Sequence, residues 1–100
     1  MRHLSFDLSD GSDDILTLDA MASTRAPEHA AVMAEVEQVL AWARAEFGGR
    51  QGPVEDGNAW DHELLVQHED GGWVTVTLTL SASPEFADAF RAVFVAPEDE

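Results

Sequence analysis

Histidines and carboxylates are the side chains that would carry chemistry near neutral pH, because the 100-residue sequence contains no cysteine. That absence removes disulfides, zinc–thiolate sites and cysteine nucleophiles together. His62 and His68 share the parity of one alternating segment, with Glu63 and Glu69 beside them. Six residues along a strand span about 20 Å, so a single metal ion cannot bridge the two rings. His3 and His29 have no ligand partner at helical spacing. No metal and no cofactor is expected. The carboxylate clusters Asp13-Asp14, Glu55-Asp56, Glu69-Asp70 and Glu98-Asp99-Glu100 fall in turn-forming segments or at the end of the chain. Water keeps such groups ionised, whereas general acid–base work needs a carboxyl raised by apolar surroundings. Asp10–Asp14 lacks the spacing and terminal Glu of an EF-hand loop. No G-x-S-x-G elbow occurs. Gly48-Gly49-Arg50-Gln51-Gly52 has neither the Lys nor the helix-opening position of a phosphate loop. No residue nominates itself as catalytic.

The tryptophans are the stronger lead. Trp60 and Trp73 open two strand-like segments, where packing at a core edge accounts for both. Trp42 differs. Val32, Val36, Val39, Leu40, Ala43 and Phe47 form one helical stripe. Advancing about 100° per residue, Trp42 lies about 120° from the centre of that stripe. Glu35, Gln38 and Glu46 flank it there. A large aromatic among acids and away from the core stripe is either a binding anchor, with Trp42, Glu35, Gln38 and Glu46 as the candidate contact residues, or a cover for a strand end or a loop.

These side chains need elements to position them. Arg2–Ser9 alternates Leu4, Phe6 and Leu8 with polar residues, and Ile15–Ser23 follows after the turn cluster Asp10–Asp14. The two read as a hairpin with Leu16, Leu18 and Ala20 inward. Pro27 suits the first turn of a helix, and Ala30–Phe47 continues it without internal Gly or Pro until Gly48-Gly49. Gly48–Asn58 is a loop rich in glycine. Ala59–His68 and Trp73–Ala82 predict a second hairpin about Glu69-Asp70-Gly71-Gly72. Ser83-Pro84-Glu85 reads as the start of a second helix carrying Phe86, Phe90, Val93 and Phe94. The pattern is β-β-α-β-β-α. Its two halves share a Pro-Glu-x-Ala match, at Pro27 and Pro84, compatible with an internal duplication. Each hairpin has one apolar face and each helix one apolar stripe. A four-stranded, largely antiparallel sheet with both helices on one face satisfies all of them: an α+β two-layer sandwich. Residues 1–96 are expected to form one domain and 97–100 an acidic, flexible tail. The open sheet face should carry Ser5, Asp7, Thr17, Asp19, Asp61, Glu63, Gln67, Thr75, Thr77 and Thr79, with Ile15, Met21 and Leu65 as apolar exceptions.

Charge then narrows the function. Twenty acidic against five basic side chains give a net charge of −15, spread along the whole chain. Such a surface repels phosphate backbones and anionic headgroups, so neither nucleic acid nor a membrane is an expected partner. The first residues lack the apolar stretch of a signal peptide, and no apolar run reaches membrane-spanning length, so a cytoplasmic protein is expected. Arginine without lysine, beside abundant alanine, is the composition expected of a GC-rich, bacterial-type genome, and a salt-adapted proteome would look similar. The expected function is a small, acidic, non-enzymatic protein-interaction module: an adaptor, an inhibitor or an accessory subunit. It would bind a basic protein or a second copy of itself. The competing reading is a small enzyme or ligand-binding domain with its pocket between loop 48–58 and a sheet end. A flat acidic surface would favour the first, and a deep apolar pocket with converging polar groups the second.

Overall fold

Two ten-residue alternations dominate the sheet. In the computed structural model, which describes residues 3–11 and 14–94, they form β2 (Leu16–Arg25) and β4 (Trp73–Ala82). The two pair antiparallel along their whole length, Leu16 opposite Ala82 and Arg25 opposite Trp73. Two further strands take the outside positions, β1 (Asp7–Asp10) against β2 and β3 (Trp60–Glu69) against β4. The sheet order is therefore β1-β2-β4-β3, antiparallel throughout. The β3–β4 register runs from Trp60–Ala82 to Glu69–Trp73 without a bulge. Asp70–Gly72 closes that hairpin with Gly71 and Gly72 at φ 83° and 81°. This is the left-handed region, which glycine enters without steric cost.

Helix α1 (Ala26–Phe47) follows β2 directly and places Pro27 in its first turn. The expected stripe, Val32, Val36, Val39, Leu40, Ala43 and Phe47, is buried in full. Helix α2 (Pro84–Phe94) follows β4 and buries Phe86, Ala87 and Phe90. Ser83 Oγ accepts the Phe86 N–H at 3.2 Å, satisfying one donor that the first turn leaves free. Leu18, Ala20 and Ala22 of β2 and Val74, Val76, Leu78, Leu80 and Ala82 of β4 share one sheet face and are buried with both helices. The molecule is thus a small α+β fold, β-β-α-β-β-α, with its helices on one side of the sheet.

The first strand departs from expectation. Pairing begins at Asp7, because the preceding residues leave the sheet: the His3 and Leu4 N–H groups bond to Glu35 of α1. Leu4 is consequently a core residue outside any strand. Leu8, expected inward, is 41% exposed. It shares the helix-side parity of Leu18 but lies on the outermost strand, while the helices sit over the central pair. The expected tail 97–100 lies outside the described residues.

Candidate interaction surfaces

The flank of α1 is where the sequence places its anchor, and the structure covers much of it. Trp42 is half-buried, its ring set edge-on to Phe86 and Phe94 at 5.4 Å, Phe90 at 6.0 Å and Phe47 at 6.1 Å. It fills the seam between the two helices. Trp42 lies off the sheet-facing stripe because α1 has a second neighbour, α2, on that flank. Gln38 and Glu46 remain exposed. Glu35 is engaged within the chain. Its carboxylate accepts the Leu4 N–H at 2.9 Å, the His3 N–H at 3.1 Å and a bond from His3 Nδ1 at 2.9 Å. Burial pushes this carboxyl up, but the bonds from Leu4 and His3, with the charge of His3, outweigh it and hold the group below its ordinary range. Of the four candidates, then, two serve the fold and two face water.

Trp60 and Trp73 part company. Trp60 is fully buried, stacked on Phe86 at 5.5 Å, and its indole Nε1–H donates to the Phe47 carbonyl at 3.1 Å. That bond ties the end of α1 to the start of β3. Trp73, expected at a core edge, is instead 39% exposed on the open sheet face, with the Arg25 guanidinium 4.9 Å above its ring. The register explains the pair, since Arg25 and Trp73 are direct cross-strand partners. The sequence pattern ends the second strand at Ser23, so Arg25 lies outside it, and it leaves open which strand stands opposite Trp73.

The open face is otherwise as the parity predicts. Three successive rows cross β2, β4 and β3: Ser23–Thr75–Gln67, Met21–Thr77–Leu65 and Asp19–Thr79–Glu63. Met21 is 65% exposed and Leu65 51%. Asp7 stands directly opposite Asp19 at the rim. A cavity of about 320 Å³ opens there, lined by Ser5, Asp7, Asp19, Ala20, Met21 and Thr77. The chain makes this notch by leaving the sheet before Asp7, so β2 beyond Asp19 has no strand neighbour on that side among the described residues. Thr75 Oγ1 donates to Ser23 Oγ at 3.0 Å, fixing two of the hydroxyls on this face.

The loop after α1 packs against a sheet end. Gln51 bridges to Trp60, the Gly52 N–H donates to the Trp60 carbonyl at 2.8 Å, and the Ala59 N–H to the Arg50 carbonyl at 2.8 Å. Gly52 has φ 152°, and a Cβ there would lie 2.7 Å from the Asn58 side chain, so the close turn requires glycine. The histidines stay apart: His3 is with Glu35, and His62 stacks on Trp60 with its Nδ1 bonded to Gln51 Nε2 at 3.2 Å. Among the described residues, no three His, Asp or Glu side chains converge in a metal-holding group. No helix among them is long and apolar enough to cross a membrane. The sequence matches no protein-family model, no curated protein and no solved structure at a significant level.

Proposed function

We propose that this chain is a non-enzymatic protein-interaction module that receives a basic partner on the uncovered face of its sheet. The observation that carries this is the Met21–Thr77–Leu65 row, two exposed apolar side chains bracketing a hydroxyl, bordered by Asp7, Asp19 and Glu63. An apolar centre with a polar rim is the anatomy of a protein interface. A rim of one charge sign selects the partner and steers its approach. The Asp7–Asp19 notch fits a single Arg or Lys side chain, which would relieve the repulsion of two carboxylates placed opposite each other across strands. The enzyme reading has less support, because among the described residues the carboxyl displaced from its ordinary range, Glu35, is displaced downward and already holds the chain together.

The test is differential capture from a lysate of the source cells, with immobilised wild-type chain beside Met21→Glu and Asp7→Asn/Asp19→Asn variants. Circular dichroism establishes that the folds match. Support is a set of basic proteins retained by the wild type, released by salt and lost with Met21→Glu. Identical sets on wild type and variants, or retention indifferent to salt, overturns the proposal.

A further inference from the structure

Strand β3 lies at the edge of the sheet, with no strand on its outer side among the described residues. Loop residues Gln51 and Gly52 cover that side only at Trp60, whose carbonyl accepts the Gly52 N–H. Backbone groups alternate sides along a strand, so the outward-pointing residues after Trp60 are His62, Leu64, Val66 and His68. The His62 N–H is taken by its neighbour's carboxylate, Asp61 Oδ1, at 2.9 Å. Those of Leu64, Val66 and His68 meet no partner among the described residues. The free stretch Asp61–Glu69 has no proline and no bulge to blunt the edge, and its charges, Asp61, Glu63 and Glu69, leave the central Leu64–Val66 uncharged. Its side chains are also under-covered. Leu64 and Val66 point to the helix side yet are only half-buried, and Leu65 stands exposed on the other face.

This stretch is self-complementary. Turned antiparallel about its midpoint, Leu65 meets Leu65 of the second copy, Leu64 meets Val66, Glu63 meets Gln67 and His62 meets His68. All four outward residues then face one another, the His62 N–H exchanging Asp61 Oδ1 for the partner's His68 carbonyl, and the half-buried Leu64 and Val66 cover each other on the helix side. Sliding the register by two residues in one direction brings the partner's His68 opposite Trp60, where the loop intrudes. Sliding it in the other direction sets His62 opposite the turn at Asp70. We propose that β3 joins β3 of a second copy about a two-fold axis at Leu65, extending the sheet to eight strands. The cost is two like-charged pairs at the ends, Asp61 opposite Glu69. Salt therefore strengthens this association, whereas it weakens capture of a basic partner.

Single-cysteine crosslinking of the full chain tests the axis, the natural sequence having no cysteine. At Leu65 the two Cα atoms would form a non-hydrogen-bonded pair about 4.5 Å apart, within disulfide reach. At Glu63 they would stand four residues out of step, about 13 Å along the strand. Leu65→Cys should form a disulfide dimer under mild oxidation at least about tenfold faster than Glu63→Cys or the surface control Asp88→Cys. The wild type should sediment at twice the chain mass in moderate salt. Val66→Pro removes an outward N–H that the monomer does not use, so it should leave the circular dichroism unchanged and yield monomer. Glu69→Gln should tighten the dimer. Wild-type monomer at high concentration and salt overturns the proposal, as does equal crosslinking of the three cysteines. A dimer that survives Val66→Pro places the contact elsewhere and overturns it too. A heterologous strand taken up by wild-type monomer would assign the edge to another protein. Leu65 belongs to both surfaces, but the sheet-face test varies Met21, Asp7 and Asp19, which this experiment leaves untouched, so failure of one proposal is distinguishable from failure of the other.

Discussion

Glu35 offers the sharpest test of how this chain is held together. Its carboxylate is the acceptor for two successive backbone N–H groups, His3 and Leu4, and for the His3 ring. Through them it draws the buried Leu4 side chain into the core. Hydrogen bonds to a charged group contribute about 1.5–3 kcal/mol each, and water at this partly open site replaces some of that when the acceptor is removed. Glu35→Ala should therefore cost about 2 kcal/mol in total, or roughly 8–16 °C in melting temperature for a chain of this size. Glu35→Gln keeps one carbonyl acceptor and should lose about half as much. The pH dependence has a definite sign. The folded-state pKa of Glu35 lies below the unfolded value, so its contribution is fully present above the ordinary Glu range of about 4.3 and is lost as pH falls through the folded value. Thermal melts of wild type and Glu35→Gln, followed by circular dichroism from pH 7 downward, should converge on acidification. Taking the difference between the two proteins cancels the other carboxylates. Equal melting temperatures at pH 7, or a difference that persists unchanged well below pH 4, would show that the carboxylate does not pin the N-terminal segment.

Trp42→Ala should destabilise the fold by about 2–4 kcal/mol in urea unfolding, because four phenylalanine contacts in the helix seam are lost. A change under about 0.5 kcal/mol, the size of an ordinary surface substitution, would return Trp42 to the role of a surface anchor. Trp60→Phe should cost about 1–3 kcal/mol beyond the volume change, since the Phe47 carbonyl loses the indole N–H that donates to it. A Trp60→Phe chain that unfolds at the wild-type midpoint would refute that assignment. Moderate sodium chloride should raise the melting temperature, by screening the mutual repulsion of a net charge of −15. A flat or falling midpoint would mean that local pairs such as Arg50–Glu85, at 3.1 Å, outweigh the general repulsion.

Periodicity made most of the fold legible. The alternation in Trp73–Ala82 names a strand with the bounds the structure gives it, and the six-residue stripe of α1 is buried as read. Of the apolar residues read on strand or helix stripes, Leu4, Leu18, Val36, Leu40, Phe47, Phe86 and Phe90 are buried and Phe6, Leu16 and Phe94 pack against them, whereas Leu8 and Val93 are exposed. What failed were features set by a distant partner. Leu4 and Phe6 alternate as strand residues do, yet a carboxylate some thirty positions away takes the Leu4 N–H, and pairing begins only at Asp7. Local propensity cannot register a bond across that separation. The open face fared better, because parity alone decides which residues share it. Its composition was readable, while its notch, which exists only because the chain turns away before Asp7, was not.

Trp42 shows how far the angular reading of a helix can be taken. A residue 120° from a helix's buried stripe faces solvent only if the helix has a single neighbour. The number of neighbours is a property of strand order, which periodicity leaves open. Here β2 and β4 are adjacent at the centre of the sheet, and each is followed directly by its helix. Antiparallel neighbours on one face bring those helices side by side, so α1 acquires a second contact surface along the flank that carries Trp42. Had the hairpins joined through β1 and β3, the helices would have stood over opposite ends of the sheet and left that flank open. The same adjacency sends β3 to the edge, where the outward N–H groups of Leu64, Val66 and His68 have no partner among the described residues. One topological fact thus covers the surface that the helix pattern advertised and exposes an edge that no helix pattern describes.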